Sequence, residues 1–412
     1  MIKRSKFLLF CFYFYVFISL FPVFQYFGVS YYIILSTSII SIIVYNIIFY
    51  NIYNIKFIYV SIILLACSSI TSLYWGGSYK ISLYPLPLII GLYYAMTIDA
   101  NEYDNIVTLF TILSIIMLIG SYIGFIYAFF GGKPILIIKN PDNRDSWLYI
   151  TTFTNTRIGN IIRPSGLFDE PGAFSFFICI TAMLRNITKR SSKLTLYILL
   201  FGFITLSLAH FVFIIFYFIS IIENKKKYLR NTLISIIAFL LFLSFTNVGK
   251  IIYNNLYYRI LNNIDISSSN KDIRFLQFQN AYEELASGKI DNILFSIDPS
   301  FMDKNKYIPR KNYPRMGENV LSPLAYYGIL ISWIYYIVII KLIKIAFKKK
   351  ENVIYLGLAM LLMQRPYVTT IGYSAIIFLP LFMKYKLSKK SKITNVLHAK
   401  KIKNMAYKNM KI

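Results

Sequence analysis

Long apolar runs alternate with short polar stretches along almost the whole chain. Apolar positions dominate residues 7–25, 31–50, 57–75, 81–98 and 106–130. They dominate again over 171–186, 194–222 and 233–246, and finally over 323–344, 353–364 and 372–384. Such lengths suit helices crossing a hydrocarbon core about 30 Å thick. Lipid offers the backbone no hydrogen-bond partners, and these runs are too long and uniformly apolar for barrel strands, so helices are expected. The run 194–222 has basic clusters at both ends, Lys189 to Lys193 and Lys225 to Lys227. One span would put one cluster outside. Two short helices turning near Ser207 to His210 keep both inside, as the enrichment of Lys and Arg in cytoplasmic loops requires. With that split, the pattern predicts an all-α polytopic membrane protein of about 12 transmembrane helices, a single membrane domain over residues 1–412.

Two polar segments interrupt the runs, residues 131–170 and 247–322. The same topology places both as large extracytoplasmic loops, with both termini cytoplasmic and residues 385–412 a basic cytoplasmic tail. The basic start and the apolar run from Phe7 lead to no small-residue cleavage site, so the first span is expected to stay. The cytoplasmic loops are short and hold no glycine loop of nucleotide-binding type, which argues against an ATP-driven reaction.

Composition sharpens this reading. The chain is 57% hydrophobic and 15% charged, where a soluble protein would carry about 25% charged residues. Its net charge of +27 comes from 44 Lys and Arg against 17 Asp and Glu. Much of that excess flanks the runs, as topology signals do, so nucleic acid is not an expected partner. Cys11, Cys67 and Cys179 all fall in apolar runs and suggest neither a disulfide nor a metal framework.

Candidate chemistry concentrates in the polar segments. In the first, Arg157 and Arg163 precede Asp169-Glu170-Pro171-Gly172, directly before the apolar run at Phe174. Polar groups at the mouth of a membrane helix usually mark a site. Asp169 or Glu170 also suits a helix cap, with Pro171 in the first turn and Arg163 as a charge partner. For Arg163 a second role is open, because guanidinium binds phosphate bidentately and keeps its charge. In the second segment Arg274 opens a stretch in which Phe275, Phe278, Tyr282 and Leu285 recur at helical spacing, predicting an amphipathic helix packed on the membrane face of the protein. Arg310, Lys311 and Arg315 form a basic cluster. Glu318 and Asn319 then stand just before the apolar run 323–344. A carboxylate there is expected to be desolvated, which would make it a better base. His210 lies at the proposed turn, where a structural role outweighs a catalytic one. Arg365 falls at another outer turn and adds positive charge there.

Three of these stretches together resemble O-antigen polymerases of the Wzy type. Arg163 to Ala173 resembles an Arg-x-x-Gly-x-Phe-x-Glu-Pro element. Arg274 with Phe278 and Ala281 is similar to a second-loop helix shared with O-antigen ligases. Asn319, Leu324 and Gly328 look like the element after the large loop. The resemblance implies a GT-C-like membrane glycosyltransferase in the bacterial cytoplasmic (inner) membrane, using neither metal nor cofactor. Implied substrates are sugar repeat units on undecaprenyl pyrophosphate, presented from membrane lipid, with a separate chain-length regulator protein as partner. It implies catalytic roles for Glu318, Arg274 and Arg163, and substrate contacts from Arg157, Arg315, Glu170 and Asn319. The ligases carry histidine before the Asn, where this chain has Glu318, which favours polymerase over ligase. A flippase for the same lipid would place charges within the spans, and these are nearly free of them.

Overall fold

The computed structural model describes residues 4–21, 23–24, 29–49, 55–77, 79–139, 145–158, 161–221, 273–287, 290–299, 316–349 and 352–389. The expected span 233–246, most of the second polar segment and most of the basic tail lie outside the described residues.

The chain is mostly helical, and among the described residues four helices are long and apolar enough to cross a membrane: Tyr31–Phe49, Phe57–Tyr74, Ala100–Phe129 and Ser322–Ala346. In the first two only 22% of the apolar window is buried inside the protein, at mean hydropathies of 2.1 and 1.9. An apolar surface of that extent needs lipid around it, so the protein is membrane-embedded.

The described chain forms two compact units, of residues 1–57, 86–206 and 370–412, and of residues 58–85 and 207–369. The first holds α1 (Arg4–Leu20) packed on α2 (Tyr31–Phe49), then α5 (Leu86–Thr97), α6 (Tyr103–Phe129), α7 (Pro171–Ile187), α8 (Ser192–Phe201) and a last helix over 373–389. Helix α7 is buried on every side from Pro171 to Arg185, as expected of a helix apolar all round. Phe110 and Phe168 both pack tilted against its Phe177, at 5.1 and 5.5 Å between ring centroids. The second unit holds α3 (Ile55–Tyr74) from Ile58 onward, α4 (Tyr79–Leu83), α9 (Leu208–Ile221), α10 (Ile273–Ala286), α11 (Ile290–Phe295), α12 (Ser322–Ala346) and α13 (Ile354–Gln364). There α13 packs on α9 and α12, and Tyr335 ties the last pair by donating to the Leu362 carbonyl at 3.0 Å.

Three expectations change. The run 194–222 does divide: α8 passes into a 3-10 turn, Gly202–Thr205, and breaks at Leu206, whose φ of 47° and ψ of 39° end the helix before α9. But α8 has only 10 residues, about 15 Å, half the hydrocarbon thickness. Second, the all-helical picture fails over 131–170, where β1 (Leu136–Lys139), β2 (Asp145–Tyr149) and β3 (Thr152–Thr154) form an antiparallel sheet in that order. A ribbon of β4 (Arg157–Ile158) and β5 (Ile161–Ile162) follows. The β-branched run Ile135 to Ile138 and the aromatic run from Trp147, separated by Asn140-Pro141-Asp142-Asn143, carry the hairpin signal. Third, the buried face of α10 is not the aromatic stripe. Gln277, Ala281 and Leu285 are buried, while Phe278 and Tyr282 are exposed. Ala281 and Leu285 join Ile297, Met316 and Ala325 in one cluster. Gly317 lies against Gln277, where a Cβ would clash with that side chain, and Ala281 and Leu285 face the packed cluster.

Candidate functional sites

In the second unit the polar residues before α12 form a built turn. Asn319 is buried. Its Oδ1 accepts from the Leu321 and Ser322 amides at 2.9 and 3.1 Å, and its Nδ2 donates to the Met316 carbonyl at 2.6 Å. Ser322 Oγ donates back to the Asn319 carbonyl at 2.7 Å, and Pro323 occupies the first turn. The Asn319 amide therefore holds backbone that begins the helix, a capping role.

Glu318, next to it, reaches Arg365. The guanidinium Nη1 lies 3.1 Å from Glu318 Oε2; the arginine side chain is 4% exposed and the carboxylate 43%. Arg365 sits where α13 ends, its amide bonded to the Leu361 carbonyl at 2.8 Å. Its Nη1 also donates to Tyr367 Oη, and the guanidinium lies 5.6 Å from the centre of that ring. Glu318 is thus not the desolvated carboxylate expected from its place before a span. It is half-open to solvent and held by a buried cation that fixes where it points. The sequence showed Arg365 only as added charge; its pairing with Glu318 had no local signal.

Helix α12 is itself interrupted. Gly328 takes φ 64° and ψ 169°, inside what would otherwise be a continuous helix. A Cβ there would lie 2.6 Å from the Ser296 nitrogen and against the Leu294 carbonyl. Residues after α11 fill the gap, and the Ile297 amide bonds the Ala325 carbonyl at 2.9 Å. Trp75 Nε1 holds the same segment through the Phe295 carbonyl at 3.1 Å, and the Tyr74 ring stacks on Phe295 at 4.3 Å. Arg274 lies in the first turn of α10. Arg310, Lys311 and Arg315 lie outside the described residues.

The first unit contains the other set. Arg163 follows β5, and its Nε and Nη2 donate to the Thr205 and Leu206 carbonyls, both at 3.1 Å. It therefore holds the break after α8, whose terminal carbonyls lack helical partners. Arg157 pairs with Ile162 across the ribbon, and the Arg163 amide bonds the Thr156 carbonyl at 3.2 Å, so the two arginines occupy adjacent positions of one ribbon. Arg157 is exposed. Residues 165 and 166 are woven onto β3: the Ser165 amide meets the Phe153 carbonyl and the Phe153 amide meets the Gly166 carbonyl, each at 2.8 Å. Glu170 does occupy the cap position of α7, with extended backbone, and Pro171 opens the first turn. Its side chain makes no capping bond; its carbonyl accepts from the Ala173 and Phe174 amides at 3.1 and 3.3 Å. Trp147 packs against the cluster of Ala128, Tyr149 and Ile162. His210 is fully buried in α9.

One polar group escaped the sequence reading. Arg185, 3% exposed near the end of α7, donates to Thr195 Oγ1, Thr111 Oγ1 and the Ser191 carbonyl at 2.9, 3.0 and 3.2 Å. It joins α7 to α6 and the start of α8. An arginine in the last turn of an apolar run was its only signal.

No protein-family model, no curated protein and no solved structure matches the chain.

Proposed function

We propose that this chain is a membrane glycosyltransferase that polymerises oligosaccharide repeat units carried on undecaprenyl pyrophosphate. The observation that carries the reading is the Glu318–Arg365 pair at the head of α12. A half-exposed carboxylate, kept ionised and aimed by a buried guanidinium beside a rigid Asn319 turn, can accept a hydrogen bond from a sugar hydroxyl and then its proton, the ion pair giving position rather than added basicity. The resemblance of Asn319, Leu324 and Gly328 to the polymerase element adds support, because Asn319 and Gly328 both shape the start of this helix.

In the proposed reaction the acceptor hydroxyl attacks the anomeric carbon of the growing chain. Its proton passes to Glu318, a new C–O bond forms, and the anomeric bond to pyrophosphate breaks. Undecaprenyl pyrophosphate leaves with the electron pair. Arg274 and Arg163 are the proposed donors to its growing charge, with Arg157, Arg315 and Glu170 as further contacts. The energy resides in the sugar–pyrophosphate bond, so no nucleotide is needed. On this reading the chain lies in the bacterial cytoplasmic membrane with about 12 spans in a GT-C-like arrangement, both termini inside, and a chain-length regulator as partner.

The test is a gel of surface polysaccharide from a strain deleted for this chain, complemented with wild type, Glu318→Gln or Arg274→Ala at equal expression. Collapse of the ladder to core plus one repeat, restored by wild type and by neither variant, is the expected result. An intact ladder in the deletion strain refutes the polymerase. Loss of even the single repeat indicates a ligase or a flippase instead.

A further inference from the structure

Helix α6 carries a continuous exposed stripe of Ile112, Ile116, Ile119, Ile123 and Ile126, at steps of three and four. That is one helical face, and on a helix this apolar it faces lipid. The stripe does not stop where the helix ends. Phe130 is 82% exposed, Ile135 63% and Ile137 54%, and Ile150 at the β2–β3 turn is also exposed.

The sheet does not sit above the helix. It lies along its flank. Thr151 Oγ1 donates to the Gly120 carbonyl at 2.6 Å, Thr152 and Tyr149 press on Gly124, and Tyr149 packs on Ala128. The β2–β3 turn is therefore level with Gly120, nine residues or about 14 Å back from the end of α6. The apolar run 106–130 is about 37 Å long, some 7 Å more than the hydrocarbon needs. Even if all that excess stood beyond the bilayer at this end, the level of Gly120 would lie several ångströms inside. Tilt would only sink it further.

Residue types along the sheet are graded to match. Ile150 is at the turn. One step outward Ile135 gives its amide to the Leu148 carbonyl at 2.8 Å, and then Ile137 pairs with Trp147. The charged pair Lys139 and Asp145 comes last, roughly 17 Å from Ile150. The innermost strand, β3, is fully buried in protein, as backbone at membrane depth must be. Among the described residues β1 pairs on one side only, with β2, and the backbone of such an edge needs the hydrated headgroup zone.

We infer that this sheet dips into the bilayer beside α6, with Ile135, Ile137 and Ile150 at the acyl–headgroup boundary and the Lys139–Asp145 end in water. The occupant of its exposed apolar edge is the lipid surface, continuous with the lipid face of α6. Exposed Lys133 lies between Phe130 and Ile135, within reach of lipid phosphates. The segment is thus an interfacial anchor rather than a water-borne loop.

The test uses the full chain in nanodiscs containing lipids brominated near the top of the acyl chain. Single cysteines replace Ile135, Ile137, Asp145 or, as a hydrocarbon reference, Ile123. Each carries a bimane label, and background is taken from the unsubstituted chain. Labels at Ile135→Cys and Ile137→Cys are expected to be quenched at least about half as strongly as at Ile123→Cys, with Asp145→Cys unaffected. Quenching at both no greater than at Asp145→Cys overturns the inference. If those two substitutions prevent folding, Ile150→Cys, at the exposed β2–β3 turn and outside the strand pairing, decides by the same criterion.

Discussion

Replacing Gly328 with alanine tests the broken helix directly. At φ 64° and ψ 169° the backbone is in a region that only glycine occupies without strain, so a Cβ costs about 1–3 kcal/mol before any contact is counted. The new methyl would also stand 2.6 Å from the Ser296 nitrogen and 2.8 Å from the Leu294 carbonyl carbon. Both are backbone atoms and cannot rotate away. Residues 294–297 must withdraw, and the Ile297 to Ala325 bond, about 1 kcal/mol, goes with them. Together these give about 2–4 kcal/mol, or, for a chain of 412 residues, a melting shift of roughly 2–5 °C. The comparator is Gly77→Ala. Its φ is 83°, yet nothing lies within 4 Å of its added Cβ, so it bears backbone strain alone, about 1 kcal/mol. Melting of both variants is followed in detergent by fluorescence-detected size exclusion. If Gly328→Ala melts within a degree of Gly77→Ala, the packing of residues 294–297 into the break is refuted.

Other outcomes follow from the same geometry. Glu318→Gln removes the charge partner of buried Arg365 and is expected to destabilise by about 1 kcal/mol, held down by the exposure of the carboxylate; a double-mutant cycle with Arg365→Leu showing no coupling contradicts the pair. Arg163→Ala loses two charged hydrogen bonds to the Thr205 and Leu206 carbonyls and is expected to lower the melting temperature, with Arg163→Lys only partly restoring it because one ammonium replaces a two-pronged donor; unchanged melting of Arg163→Ala would show that the break holds without it. Lys386, just past the apolar run 372–384, donates to the Met96 and Ile98 carbonyls, both at 2.6 Å, and burial lowers it to about 8 against the opposing pull of Asp99. The unfolded chain then binds the extra proton between about pH 8 and its ordinary value of 10.5, so stability rises with pH across that window and falls again as pH returns to 8. Melting of wild type against Lys386→Met from pH 7.5 to 10.5 checks this, and equal slopes would refute it.

Much of the fold was legible as periodicity and punctuation. Basic residues on both sides of 194–222 required a turn, and the chain breaks at Leu206, beside the expected stretch. Pro171 opens α7 as its ring predicts. What failed is instructive. Along α10 helical spacing grouped Phe278, Tyr282 and Leu285 on one face, but Phe278 and Tyr282 are exposed and Gln277 is buried against Gly317, a neighbour from beyond the helix that local spacing could not reveal. In 131–170 the search for spans masked a hairpin whose turn residues were plain. The partner of Glu318 lay beyond reach, since Arg365 comes from a different helix and only the folded chain brings it near.

In each unit, considered separately, a helix is interrupted and other protein groups meet the freed carbonyls: Arg163 in one, the Ile297 amide in the other. Arg163 serves the carbonyls left after α8; the Asn319 turn starts the helix that Gly328 breaks. Membrane helices keep their backbone bonds internal, so a break persists only where protein supplies the missing partners. Arginines and carboxylates supply them strongly, and the same groups recognise phosphates and sugar hydroxyls. A structural role for Arg163 is therefore no argument against a functional one. It does mean that loss of polymer in Arg163→Ala, taken alone, says less about chemistry than loss in Glu318→Gln, where the turn at Asn319 keeps its bonds and only the carboxylate's charge is gone.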